Sequence, residues 1–130
     1  MIEKYWNAGF LARLFGAVFV FIGVTGFLPN PLYSEVGFFA ANAAHNLVHV
    51  LTGLAFLGGA YAGRPLLTIR AVAALYVVVA VLGFVSSGDM LLWIVHINEA
   101  DRWLHAALAA TFIALGTALP RELGSFPAHA

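Results

Sequence analysis

Asn42-Ala-Ala-His45-Asn46-Leu-Val-His49 recurs, 56 positions further along the chain, as Asn98-Glu99-Ala-Asp101-Arg102-Trp-Leu-His105. Each segment begins with asparagine, a residue suited to cap a helix. Two side chains able to bind a metal or a proton then follow four residues apart, a spacing that sets both on one helical face. Each segment also opens a long apolar run, so both read as the mouths of membrane helices. Ionisable groups in that position cost free energy to bury and mark a candidate functional site.

Composition fixes the class around these two segments. Of 130 residues, 62% are hydrophobic and 9% charged, far below the roughly 25% charged share of a soluble domain. The fold class expected is all-α: a polytopic membrane four-helix bundle. No Ser/Pro/Gly-rich or charged tract separates the apolar runs, so residues 1–130 read as one transmembrane domain. The chain has no cysteine, which removes thiolate ligands and thiol catalysis. A formal net charge of zero gives no reason to expect a nucleic-acid partner; the partner implied is the lipid bilayer.

The apolar runs predict helices over about 8–28, 42–62, 66–85 and 99–119, each close to the ~20 residues needed to cross a hydrocarbon core. The first exceeds a signal-peptide core and reads as an uncleaved helix, stopped by Pro29, Asn30 and Pro31. Gly53, Gly58, Gly59 and Ala60 give the second helix a surface on which a neighbouring backbone can approach closely. Residues 90–97, too few to span, read as an interfacial or re-entrant segment, and residues 121–130 as a mobile tail carrying His129. Tyr5, Trp6, Trp93 and Trp103 suit interface anchors.

Alignment of the chain on itself adds an internal repeat. At an offset of 56, Asn42 meets Asn98, His45 meets Asp101, His49 meets His105 and Phe56 meets Phe112. Upstream, at an offset of 57, Gly26-Phe27 meets Gly83-Phe84. Two hairpins of like topology, related by a pseudo-twofold axis along the membrane normal, follow from that pattern. Lys4, Arg13, Arg64, Arg70 and Arg121 fall on one side of the expected topology and only Arg102 on the other. The positive-inside rule then puts both termini in the cytoplasm and the two Asn-to-His segments on the outer half of the membrane.

The pattern Asn42-x-x-His45-Asn46-x-x-His49-x-x-x-Gly53, with Asp101-x-x-x-His105 and four apolar runs, resembles a family of small bacterial membrane proteins catalogued only as a domain of unknown function. The resemblance covers about Ala8 to Leu119. It implies a four-helix fold in a bacterial plasma membrane, and it supplies no activity and no catalytic residue.

Chemistry must therefore come from the residues. His45, His49, Asp101 and His105 together would offer three nitrogens and one oxygen, a set suited to zinc and acceptable to copper(II) or iron(II). Asn42, Asn46, His96, Asn98 and Arg102 are the residues placed to support or cap it. Haem ligation through His49 and His105 is a lesser alternative, as is copper(I), since only Met1 and Met90 offer sulfur. Opposed to the metal reading is a structural one, in which Asn42 and Asn98 cap helices, Asp101 is a cap element meeting free amides and the helix dipole, and His49 and His105 hydrogen-bond across helices or to the loops. Three functions stay open: a metal-binding membrane protein, a structural or accessory subunit of a homo-oligomer or larger complex, and a small proton- or solute-handling transporter. No nucleophile, phosphate-loop or protease signature demands an enzyme.

Overall fold

The computed structural model describes residues 7–86 and 88–120. Tyr5, Trp6, Lys4, Arg121 and the tail over residues 121–130 lie outside the described residues. Four helices carry the fold: α1 (Ala8–Thr25), α2 (Ala43–Tyr61), α3 (Pro65–Val85) and α4 (Glu99–Ala118). Two short strand pairs lie at one end, β1 (Tyr33–Ser34) with β2 (Phe39–Ala40) and β3 (Met90–Leu91) with β4 (Val95–His96). The chain is all-α in class, and α1, α2 and α3 are long and apolar enough to cross a membrane.

Side-chain caps set the helix starts. Asn7, Asn42 and Asn98 each accept a first-turn backbone N–H on their side-chain oxygen, at 2.8, 3.0 and 3.0 Å, which satisfies one of the amides a helix leaves unpaired at its start. Pro65 opens α3 at the position where proline costs no hydrogen bond. α1 ends at Thr25, three residues before the end its apolar run suggests. Phe27 and Leu28 fold into tight turns on the carbonyls of Val24 and Thr25 at 3.3 and 3.0 Å. Asn30 claims carbonyls from the far side, its Nδ2 donating to Leu28 at 2.9 Å and to Thr25 at 3.3 Å. The prolines therefore act upstream of themselves, because the residue before a proline resists helical geometry and Asn30 draws off the last carbonyls.

The helices pair in sequence order, α1 against α2 and α3 against α4, and α3 also packs on α1 and α2. Glycines bring α1 and α2 nearly into backbone contact. A Cβ added at Gly53 would lie 2.7 Å from the Gly16 carbonyl oxygen, and one at Gly23 would lie 2.8 Å from the Val50 nitrogen. Gly58 departs from the expectation that it joins this surface: a Cβ there would meet nothing within 4 Å. Between the pairs, aromatic rings fill the centre. Phe15 stands edge-on to Phe112 at 5.2 Å, Phe19 to Tyr76 at 5.9 Å, and Phe56 sits 5.5 Å from Phe112, arrangements that aromatic quadrupoles favour. Phe56 and Phe112 are fully buried.

Residues 90–97 form a hairpin. β3 and β4 are antiparallel, pairing Met90 with His96 and Leu91 with Val95. Leu92 and Trp93 make the turn at φ 52° and 61°, a left-handed conformation that costs a bulky residue roughly 1 kcal/mol or more. Its glycine- and asparagine-free sequence carries none of the usual marks of such a turn. The loop before α2 pairs β1 and β2 in parallel, held by Asn30, whose Oδ1 accepts from Tyr33 N–H at 2.8 Å while its Nδ2 donates to Tyr33 carbonyl at 3.0 Å.

The two loops are stitched to the opposite helices by reciprocal bonds. Asn42 Nδ2 donates to the Ile94 carbonyl at 2.9 Å, and Asn98 Nδ2 donates to the Phe38 carbonyl at 2.8 Å. Both donors and both acceptors are 56 positions apart. At the same offset, His45 reaches His96 and Asp101 reaches Ala40.

Candidate metal centre

Three of the four candidate ligands converge at this end of the bundle. His45, His49 and His105 each bring a ring nitrogen to within 4.8 Å of the others. His45 and His49 share one face of α2 because they are one turn apart, and their ring centroids lie 4.5 Å apart. His105, from the first half of α4, stacks on His45 with centroids at 5.5 Å and an interplanar angle of 26°. His45 and His105 are buried, and His49 is half-buried.

Backbone carbonyls decide which nitrogens are free. His45 Nδ1–H donates to the His96 carbonyl at 2.7 Å, and His105 Nδ1–H donates to the Asp101 carbonyl at 2.8 Å. A carbonyl can only accept, so each neutral ring carries its proton on Nδ1 and its lone pair on Nε2. His45 Nε2 is buried with no hydrogen-bond partner, and so is His49 Nδ1. An unmet polar atom in such surroundings costs about 1–3 kcal/mol, and here two occur in one cluster.

Aromatic side chains close the inner side. Phe19 stands edge-on to His49 at 5.8 Å and Tyr76 lies 5.9 Å from His105. The Tyr76 hydroxyl, on a residue only 1% exposed, donates to Thr52 Oγ1 at 3.4 Å. Thr52 in turn donates to the Val48 carbonyl at 2.8 Å. Tyr76, Thr52 and Phe19 escape a search for ligand-like residues. The offset of 57 that relates Gly26 to Gly83 also relates Phe19 to Tyr76, and that correspondence is the signal by which those two, though not Thr52, can be found.

Asp101 lies outside the three-histidine cluster. It is buried, and its Oδ2 accepts the Asn98 backbone N–H at 3.1 Å, completing a capping box with Asn98. Of the supporting residues, His96 contributes its backbone carbonyl and not its ring. Asn42 and Asn98 cap helices and stitch loops. Asn46 is buried against Gly26, the residue that caps the end of α1, its Oδ1 without a partner. Arg102 points away from the cluster to the end of α3, where Nε donates to the Gly83 carbonyl at 2.8 Å, Nη2 to Gly88, and Nη1 pairs with Glu99 at 3.3 Å.

Comparison with curated proteins and with solved structures finds no match. A family match spans residues 10–118, nearly the stretch over which the Asn-to-His pattern and the four apolar runs extend. The chain belongs to the family described as Domain of unknown function (DUF4383).

Proposed function

We propose that the protein binds a single transition-metal ion, zinc in the first instance, through His45, His49 and His105. The observation that carries this reading is the pair of histidines locked by backbone carbonyls into the tautomer that offers Nε2. Protein metal sites hold their ligating histidines in this way. Three neutral imidazoles supply the nitrogen donors zinc takes at about 2.0–2.1 Å, with a fourth position left for water or another ligand. Tetrahedral bonds of that length set neighbouring nitrogens roughly 3.4 Å apart, so the rings would draw inward from their present limit of 4.8 Å. A bare ion suits the cluster better than haem, because Phe19 and Tyr76 lie against His49 and His105 where a porphyrin would have to sit.

Position follows from charge. With Arg13, Arg64 and Arg70 at the opposite end, the positive-inside rule turns the cluster toward the outer side of a plasma membrane, with α4 as a fourth span. The matched contacts 56 and 57 positions apart support reading the two hairpins as repeats about an axis that passes near His49 and His105. A structural role is favoured for Asn42, Asn98 and Asp101 by the reciprocal bonds and the capping box.

Elemental analysis of detergent-purified protein, with cobalt(II) substitution read by absorption, tests the proposal. Wild type should carry close to one ion per chain, and the double substitution His49→Gln, His105→Gln should lose it while keeping its helical circular dichroism. Wild type that stays metal-free after equilibration with excess zinc and cobalt would refute it.

A further inference from the structure

Two arginines in this fold anchor themselves in the same manner and then differ. Arg102 Nε donates to the Gly83 carbonyl, and its remaining nitrogens are engaged by Gly88 and Glu99. At the other end, Arg70 Nε donates to the Gly116 carbonyl at 2.7 Å, satisfying one of the carbonyls that α4 leaves unpaired at its last turn. That bond uses one of five guanidinium donors. Among the described residues the one ion pair is Arg102 with Glu99, so no carboxylate among them neutralises the Arg70 fork.

What lies below the fork is a groove between α3 and α4. It encloses about 340 Å³ and is walled by Ala73, Ala74 and Val77 on one helix and by Phe112 and Ile113 on the other. Small residues carve it: a Cβ at Gly116 would lie 3.1 Å from Arg70 Cγ, so the glycine is what lets the arginine stem lie flat against α4. From Arg70 to Val77 the groove follows α3 for about 10 Å at 1.5 Å per residue. α3 is a helix apolar enough to cross a membrane, so the open side of this groove faces acyl chains.

We propose that this groove is a binding site for an anionic phospholipid, its phosphodiester held by the Arg70 fork and one acyl chain lying along the α3–α4 groove. A planar guanidinium matches a phosphate in a bidentate fashion, and a fixed Nε orients that fork before any lipid arrives. Arg64, exposed at the start of α3, stands six residues nearer that end of the helix, about 9 Å at 1.5 Å per residue, and adds positive potential where the headgroup enters, which selects lipids of net negative charge over zwitterionic ones.

Native mass spectrometry of protein released from nanodiscs containing equal amounts of phosphatidylglycerol and phosphatidylcholine provides the test. Wild type should retain one phosphatidylglycerol in preference to phosphatidylcholine by about tenfold, the discrimination expected of a charge-assisted bidentate contact. Arg70→Gln should abolish the preference. Ala74→Phe, which leaves Arg70 in place and fills the groove, should reduce retention, whereas Arg13→Gln, which removes an exposed arginine of α1, should leave it intact. Equal loss in Arg13→Gln and Arg70→Gln would reduce the effect to general interfacial charge and overturn the proposal. So would unchanged retention in Arg70→Gln, or displacement of the lipid by millimolar inorganic phosphate. Should Arg70→Gln fail to fold, the Ala74→Phe and Arg13→Gln comparison decides between the same outcomes.

Discussion

Replacing Asn98 by alanine removes two interactions of different kinds, and the structure allows them to be separated. The side-chain oxygen caps α4 by accepting the Asp101 N–H at 3.0 Å, and the side-chain nitrogen ties α4 to the first loop through the Phe38 carbonyl at 2.8 Å. Loss of an asparagine cap costs about 1 kcal/mol, and loss of one neutral hydrogen bond about 1 kcal/mol more. Asn98→Ala should therefore destabilise the fold by about 2 kcal/mol. Serine caps a helix about as well as asparagine but is too short to reach Phe38, so Asn98→Ser should cost only the second contribution, about 1 kcal/mol. Reversible unfolding in mixed micelles of mild detergent and dodecyl sulfate, followed by circular dichroism, would measure both. Equal losses for serine and alanine would show that the cap contributes nothing. A loss below about 0.5 kcal/mol for alanine would show that neither contact does. The companion Asn42→Ser adds a functional readout. Asn42 holds Ile94, two residues before the His96 carbonyl that orients His45, so Asn42→Ser should weaken metal retention more than Asn98→Ser at similar cost in stability.

Glycines at close and open positions should respond with opposite signs. Gly23→Ala would drive a methyl to within 2.6–2.8 Å of Val50 and the Asn46 carbonyl, and backbone on that side leaves the strain little relief; about 1–3 kcal/mol of destabilisation is expected by the same unfolding assay. Gly58→Ala meets open space and should stabilise α2 by about 0.5–1 kcal/mol. If the histidine cluster holds a metal, chelation should lower the melting temperature of wild type and leave the His49→Gln, His105→Gln protein unmoved. The stabilisation removed amounts to about 4 kcal/mol where free metal exceeds Kd a thousandfold.

Hydropathy locates the helices to within a few residues because the dominant energy, burial of the backbone in hydrogen-bonded helices across an apolar layer, depends on long averages. It fails where single residues decide. Asn30 draws carbonyls away from the end of α1, while Phe27 and Leu28 are apolar enough to look helical. The hairpin at residues 90–97 hides because Leu92 and Trp93 adopt a conformation their types disfavour, and tertiary ties from Asn42 to Ile94 and from His45 to His96 hold it there. The fifth position of each Asn-to-His segment is legible as chemistry but not as partnership: Arg102 Nε donates to the Gly83 carbonyl of α3, and Asn46 packs on Gly26. Side-chain spacing along one helix cannot specify which neighbouring carbonyl will claim a donor.

The contrast between His45 and Asp101 explains why three candidate ligands gather where the sequence offers four. Both residues stand three positions after a capping asparagine, and both reach toward the opposite loop. A helix start presents unpaired N–H groups and positive potential. A carboxylate is an acceptor only, so that environment consumes it: Asp101 takes the Asn98 N–H and closes the capping box. An imidazole has one donor and one acceptor on opposite edges of the ring. His45 gives its donor to the His96 carbonyl and still holds the Nε2 lone pair toward His49 and His105, buried and without a partner. Identical placement thus yields a spent cap in one hairpin and an unpaired buried lone pair in the other, and the difference lies in the side chain's hydrogen-bonding capacity, not its position.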